Sequence, residues 1–303
     1  MNAIALPGTV QRRVEAFAID FLQPSAGPKV DFGAPAGAQA LVPADSVSWR
    51  VFKSPIALFI GGITAVLLEM GEPRVRDGVW QHSSFRQDAL ARLQRTGLAA
   101  MVTVYGPREV AERMIRGVVG MHGRVTGTTS EGIAYDANDP ELLVWVQATA
   151  GFGFMEAYHR FVRPLSIEQR DALFVEAQPS AQLYGATGAP ASQAELDALF
   201  DRMKDKLVPS PIVFEFLSIM DQTAALPVAM RPVQRLLIKA AVDLLPPWVR
   251  SRLRLGARWD LRPWERAVVK AVARAGDRIV IRSSPAVQSC RRLGLPDDYL
   301  YRR

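Results

Sequence analysis

The feature that most constrains the fold of this 303-residue chain is an apolar run from Pro55 to Leu68, which Glu69 ends. At roughly 14 residues the run is shorter than the ~20 needed to cross a bilayer. Ser54 suits an N-cap, and a proline in the first turn is typical of a helix start. Because a helix that is apolar all round must be covered by other elements, the run predicts a buried core helix.

Helical patterns recur along most of the chain, whereas strand-like alternation is confined to a short stretch from Arg278 to Arg282. Apolar spacing, caps and prolines predict further helices at Gln11–Leu22, Arg92–Val104, Pro107–Val125, Glu141–Phe161, Pro211–Gln222, Arg231–Leu244, Pro263–Ala275 and Pro285–Leu293, with capped starts at Ser166 and Ser192. Pro24 is expected to end the first helix, Glu72–Gly78 to break the core helix, and Gly127–Asp139 to form a polar loop. We therefore predict an all-α fold.

The expected organisation is a single large helical domain in three parts. Residues 1–44 form an N-terminal helix and loop arm, residues 45–250 the core, and residues 251–303 a basic C-terminal extension packed on that core. Because 49% of the residues are hydrophobic, the chain can bury a sizeable core without disulfides.

Several functional classes are excluded by missing residues. A single cysteine, Cys290, permits neither an intramolecular disulfide nor a thiolate zinc cluster. The chain has no phosphate-binding glycine loop, dinucleotide fingerprint or nucleophile elbow. Glu156 and His159 form one Glu-x-x-His motif, but a di-iron site needs a second copy. Charged residues interrupt the first 23 residues, so no secretory signal is expected, and we predict a cytoplasmic protein.

Positive charge is concentrated at the C-terminal end, where 17 lysines and arginines face 6 acidic residues between Val228 and Arg303. In Leu245–Arg254, Trp248 is followed by three arginines, and Trp259, Arg262 and Trp264 come after them. This pattern suits peripheral contact with a membrane surface, or a solvated basic face whose tryptophans pack inward. The alternative function is thus a non-catalytic basic helical module that binds a membrane surface or an anionic or apolar ligand. No nucleic acid partner is expected, since no recognition motif accompanies the charge.

His122 is one of only three histidines, and it continues an apolar helical stripe with Val110, Met114 and Val118. A lone imidazole among aliphatic side chains is either a hydrogen-bonded core residue or an axial ligand of haem iron. A second segment favours haem, because Arg92, Arg95 and Thr96 share one helix face. Guanidinium groups match carboxylates such as haem propionates. The alternative is a solvated arginine face.

Small residues and a nearby carboxylate add to this pattern. Ala99 and Ala100 follow the arginines and leave room for a flat cofactor. Glu72 follows the core helix in a turn rich in arginine, with Arg74 and Arg76. Its carboxylate is either an acid–base group with a shifted pKa or an arginine-paired loop residue.

Ordered motifs carry a family resemblance from about Phe32 to Ala191. They are Phe32-Gly33, Asp45-Ser-Val-Ser-Trp49-Arg, Gly78-Val-Trp-Gln-His82-Ser83, Arg92-Leu-Gln-Arg95-Thr96, Met121-His122-x-x-Val125-x-Gly127 and Tyr135-x-Ala137-x-Asp139-Pro140-Glu141-Leu-Leu-x-Trp145-Val146. In this order they resemble the haem-dependent oxygenase family that contains the bacterial rubber oxygenase (latex-clearing protein) and the mycophenolic acid pathway oxygenase mpaB.

The resemblance implies a globin-like helical core that binds haem b. His122 corresponds to the family's proximal iron ligand, and Arg92 and Thr96 correspond to its paired residues beside the haem. Arg95 stands where the rubber oxygenase has a lysine that can approach the distal face. For the family's distal glutamate base, Glu72 is the nearest candidate and Glu69 is the alternative.

This chain also departs from the family pattern at two positions. Many relatives have histidine where this chain has Glu72 and Gln147, which indicates a subgroup whose chemistry differs from rubber cleavage. The expected function is a haem b-dependent oxygenase that acts on an apolar, isoprenoid or lipid-like substrate, with dioxygen and an electron donor as partners. Mono- and dioxygenation both stay open. A peripheral membrane contact through the basic C-terminal region is compatible with this activity.

Overall fold

The computed structural model of the protein describes residues 3–4, 6–22 and 29–302. In this part the chain is all-α, as predicted, apart from one two-stranded hairpin. The α-helices are α1 Gly8–Leu22, α2 Val47–Phe52, α3 Pro55–Glu69, α4 Pro73–His82, α5 Ala89–Tyr105, α6 Arg108–His122, α7 Pro140–Ala157, α8 Ile167–Tyr184, α9 Gln193–Met203, α10 Pro211–Gln222, α11 Arg231–Leu244, α12 Pro247–Arg252, α13 Pro263–Arg278 and α14 Pro285–Arg292. The strands are β1 Thr126–Thr128 and β2 Ala134–Asp136, and a π-helix, Tyr158–Val162, directly follows α7. Pro24 lies outside the described residues.

The core helix predicted from the apolar run is α3, and it packs along α7 at the centre of the fold. The two backbones come closest where Gly61 of α3 meets Gly153 of α7. Helix α11 covers another side of α3, and the Thr64 hydroxyl donates to the Ala241 carbonyl at 3.1 Å. Because Gly61 and Thr64 are small, α7 and α11 can approach α3 closely. These neighbouring helices cover the apolar surface of α3.

The Gly61 crossing supports a test of packing. A Cβ added at Gly61 would lie 2.7 Å from the Gly153 carbonyl oxygen, whereas one added at Gly62 would meet nothing closer than Phe154 at 3.9 Å. We expect Gly61→Ala to lower the free energy of unfolding by about 1–3 kcal/mol, the usual cost of overpacking. Gly62→Ala should leave it unchanged or raise it by up to about 1 kcal/mol. Urea denaturation of both variants checks this, and equal stabilities would contradict the close crossing.

A second apolar cluster joins the segment from Val30 to Phe52 and the C-terminal end of the described chain to α5 and α6. Its polar centre is Arg292, which is 2% exposed. The Arg292 guanidinium donates to the carbonyls of Phe32 and Tyr105, both at 2.6 Å, and of Ala38 at 2.8 Å. The last helix therefore holds the segment before α2 against the end of α5. The division into three parts and the globin-like arrangement stay predictions.

The predicted break after the core helix is confirmed, since α3 ends at Glu69, and Glu72–Gly78 also starts α4: Glu72 is the N-cap, and its carboxylate accepts from the Val75 N–H at 2.8 Å. The prediction of a polar loop over Gly127–Asp139 was wrong. Within Gly127–Asp139, β1 and β2 pair as an antiparallel hairpin. Gly132, at a φ of 85°, supplies the left-handed turn residue that this hairpin needs.

The three tryptophans of the basic C-terminal region differ in how far they are buried. Trp248 and Trp259 pack against the main core, whereas Trp264 is 57% exposed. Among the described helices, none is by itself long and apolar enough to cross a membrane. Helices α3 and α4 reach that length only as a pair, and they meet at a bend of 112°.

Candidate functional site

Four helices bring together polar side chains that are far apart in sequence. Glu69 ends α3, Arg92 lies near the start of α5, His122 ends α6 and Thr149 lies in the middle of α7. The positive charge of Arg92 lowers the pKa of both Glu69 and His122, so the Arg92 guanidinium lies within electrostatic range of each. The roles that the sequence motifs assign to Arg92 and His122 stay predictions.

Glu69 is the carboxylate of this group. Burial raises the pKa of Glu69 to about 7, and two weaker effects oppose the rise. One is the positive charge of Arg92, and the other is a hydrogen bond from the Thr149 hydroxyl at 3.4 Å. A carboxyl group with a pKa near neutral pH can both accept and release a proton.

His122 is half-buried, and its Nδ1 atom is fully buried with no hydrogen-bond partner among the described residues. Burial lowers the pKa of His122, the positive charge of Arg92 lowers it further, and Asp136 opposes both effects. The imidazole is therefore neutral at neutral pH, and neutral imidazole is the form that binds metals. The alternative of a hydrogen-bonded core histidine does not account for the unpartnered Nδ1.

Half-buried apolar side chains continue the faces that carry these polar groups. On α3 they are Phe59, Gly62 and Val66, which lead to Glu69 at helical spacing. The corresponding residues are Val146, Ala150 and Phe154 on α7, and Val110, Met114 and Val118 on α6. The apolar side chains on α3 and α7 pack against the main core, whereas Val110 and Met114 on α6 pack against the second apolar cluster.

The other predicted residues lie beside this group or away from it. The Arg92 guanidinium donates to the Thr96 hydroxyl, which in turn donates to the Arg92 carbonyl at 2.9 Å. Arg95 is exposed and donates to the Ser84 hydroxyl at 2.6 Å. Thr96 thus positions Arg92, whereas Arg95 points to the loop before α5.

Glu72 is 3% exposed, and both of its carboxylate oxygens are occupied. One accepts from Arg74 at 2.7 Å and the other from the Val75 N–H. Arg74 also pairs with Glu141 at 2.7 Å, so Glu72 belongs to a network that joins α4 to α7. Among the described residues, no hydrogen bond or ion pair joins Glu72 to Arg92 or His122. The sequence signal for Glu69 was its position as the first charge after the apolar run.

Removing the Arg92 charge tests the arrangement of this group. We expect Arg92→Gln to raise the pKa of Glu69 above its wild-type value of about 7, because the opposing positive charge is lost. Titration of the Glu69 carboxyl carbon by NMR, in protein without cofactor, measures the change. Arg95→Gln is the control, since Arg95 is exposed and does not act on Glu69. An unchanged Glu69 pKa in Arg92→Gln would contradict the contact.

Comparisons with known proteins cover the same region. Residues 49–275 match the family model described as "ER-bound oxygenase mpaB/B'/Rubber oxygenase, catalytic domain". Two relatives, the uncharacterized protein Mb2261 of Mycobacterium bovis and the uncharacterized protein Rv2237 of Mycobacterium tuberculosis, are each 26% identical over 224 residues. The alignment covers 71% of this chain and 87% of each relative. No solved structure matches the chain with comparable significance.

Proposed function

Because the chain belongs to the mpaB and rubber oxygenase catalytic-domain family and is therefore an oxygenase, we propose that it is a haem b-dependent oxygenase of an apolar, isoprenoid or lipid-like substrate. The observation that supports this proposal is that the positive charge of Arg92 lowers the pKa of both Glu69 and His122. A neutral imidazole and a carboxyl group with a pKa near 7 therefore both lie within electrostatic range of one guanidinium. A proximal imidazole and a distal carboxylate are the two groups that the family resemblance implies.

The residues of the site fit a haem. In the described part of the chain no group of three or more histidine, cysteine, aspartate or glutamate side chains could hold a bare metal ion. A single imidazole would suffice for haem, because the porphyrin itself supplies four nitrogen ligands to the iron. His122 would hold the iron, and the exposed guanidinium of Arg95 would pair with a haem carboxylate. Haem supplies, when bound, an iron centre at which dioxygen is activated.

Glu69 would serve as the acid–base group. Its pKa of about 7 lets it take a proton from the substrate or return one near neutral pH. Thr149 donates to Glu69, and Arg92 balances the negative charge when the proton leaves. Glu72, the first candidate, would instead be a positioning residue, because its two oxygens already cap and anchor α4.

The substrate class follows from the surrounding side chains. The half-buried stripes of α3, α6 and α7 are aliphatic and aromatic, so they would favour an apolar substrate and exclude water. A Cβ added at Gly62 would be in ordinary van der Waals contact with the Phe154 ring at 3.9 Å. A substrate in this site would lie between His122 and Glu69 without needing a polar group to be recognised.

An optical spectrum tests the proposal. Protein supplemented with haemin and freed of excess by gel filtration should show a Soret band that shifts when dithionite reduces the iron. A protein that is folded by circular dichroism and yet elutes without a Soret band would overturn the proposal. Turnover of a polyisoprenoid or long-chain alkene, followed by oxygen uptake, then tests the substrate class.

A further inference from the structure

An open cavity lies between α10, α11 and the 3₁₀ turn Ala257–Trp259, and its lining includes none of the proposed oxygenase residues. Its volume is about 410 Å³, and small-molecule sites usually have volumes of about 300–1,000 Å³. Phe214 and Leu217 of α10, Ile238 of α11 and Trp259 of the turn form its apolar wall. The cavity is therefore large enough for an organic molecule and offers apolar side chains to bind it.

Charged residues also line the cavity, and two of its three basic residues are already paired. The Arg235 guanidinium donates to the Asp221 carboxylate at 2.9 Å. The Lys239 ammonium donates to both carboxylate oxygens of Glu265, at 2.7 and 2.6 Å. The third basic residue, Arg258, forms no hydrogen bond or ion pair with any residue in the described part of the chain. Arg258 thus gives the cavity a positive charge that is not paired with a described carboxylate.

Two aromatic rings hold Arg258 at the cavity. The Arg258 Cζ atom lies 5.5 Å from the centre of the Phe214 ring and 5.1 Å from the centre of the Trp259 ring. A guanidinium is attracted to the face of an aromatic ring, and this contact leaves its N–H groups available to an acceptor. Because the rings already restrict the side chain, Arg258 loses less conformational freedom when it binds a ligand. The charge is therefore placed where a ligand on the apolar wall can reach it.

The rest of the lining decides what the ligand can be. Apart from the ionised residues, its polar side-chain groups are the Ser218 hydroxyl and the Trp259 indole N–H, and that N–H is buried. A ligand with a polar body would lose hydrogen bonds to water here without replacing them. One unpaired guanidinium matches one negative charge, and a carboxylate can accept two hydrogen bonds from it in parallel. The lining therefore fits a molecule with an apolar body and a single carboxylate.

We propose that this cavity binds a fatty acid, whose carboxylate pairs with Arg258 and whose hydrocarbon chain lies against the apolar wall. Burial of the chain against that wall supplies most of the binding free energy. The ion pair with Arg258 selects an acid over a cation of the same length. The proposal does not rest on the oxygenase function, because the cavity shares no residue with the proposed haem site.

Calorimetric titration with decanoate, below the concentration at which it forms micelles, tests the proposal, and we expect saturable binding. Decyltrimethylammonium has the same chain with a positive head, and butyrate has the same carboxylate with a shorter chain. Each should bind at least about 10-fold more weakly than decanoate, because the first lacks the ion pair and the second lacks most of the apolar contact. Equal affinity for decanoate and decyltrimethylammonium would contradict the role of the carboxylate.

Substitutions in the lining place the ligand. Arg258→Gln should weaken decanoate binding by about 10-fold or more, the usual effect of losing a charge-assisted hydrogen bond. Arg258 is exposed, so its replacement should leave the fold intact. Ser218→Glu adds a negative charge at another exposed position and should also weaken binding, whereas Ser218→Gln, which is neutral and of the same size, should weaken it less. Arg202→Gln, on the exposed face of α9, is the matched control and should bind as wild type.

The same variants distinguish this cavity from the apolar side chains beside His122, where neither Arg258→Gln nor Ser218→Glu would affect a bound acid. Saturable decanoate binding that both substitutions weaken would support the proposal. The absence of saturable binding would overturn it, and so would binding that neither substitution weakens.

Discussion

His122→Ala is expected to weaken haem binding by more than about 100-fold and to remove the Soret band after gel filtration. The reason is that His122 is the only imidazole in the site group, so no second side chain can replace it. Changes in the residues that merely orient a metal ligand already cost 10- to 100-fold in affinity. Absorption spectra of wild-type and variant protein, reconstituted in parallel, measure the loss.

Loss of folding would not explain this result. The His122 Nδ1 atom has no partner among the described residues, so its removal leaves no hydrogen bond broken there. Circular dichroism should therefore be unchanged. His82→Ala is the matched control, because His82 is exposed and its side chain is hydrogen-bonded to Tyr135 at 3.1 Å. A haem spectrum that is unchanged in His122→Ala would contradict the proposed role of this residue.

Glu69→Gln is expected to lower the turnover rate by about 10²- to 10⁴-fold, the usual contribution of a general acid or base, while the Soret band persists. In the wild type, with Glu69 acting as a base, activity should rise with pH and reach half its limit near pH 7. Glutamine keeps the size of the side chain but cannot take the proton, so this rise should disappear. Oxygen uptake measured from pH 5 to 9 tests both expectations.

Stability provides a second readout for Glu69. Its pKa is higher in the folded protein than in the unfolded chain, so the folded state binds more protons between about pH 4.5 and 7. The free energy of unfolding therefore falls as pH rises through this window. Glu69→Gln should remove that fall and leave the variant more stable than the wild type at pH 8, as urea denaturation can show.

Glu72→Gln is the control that separates the two carboxylates. It loses the charge that pairs with Arg74 and caps α4, so it should lower stability by about 1 kcal/mol and leave the pH dependence of activity in place. If Glu72→Gln removed the activity step near pH 7 and Glu69→Gln did not, the assignment of the acid–base group would be wrong.

Local signals predicted the helical elements well. Pro211–Gln222 and Arg231–Leu244 were predicted with the bounds that the structure has, because a capping residue or proline marks each start. The core helix α3 was also predicted correctly, because Ser54 and Pro55 mark its start and the apolar run extends along it. The wrong prediction, at Gly127–Asp139, and the missed start of α4 at Glu72–Gly78 concern segments whose Gly, Pro and charged residues suit several local structures.

The sequence by itself determined the all-α class and the buried α3, and it supplied the proposal that Arg92 and His122 are site residues. Spacing along a helix and family motifs are local, so they can be read without coordinates. Only the tertiary structure decided which carboxylate lies beside Arg92. Glu69 takes that place because α3 packs along α7, and the burial that follows raises its pKa. Glu72, three residues on, lies past the end of α3 and caps α4 instead.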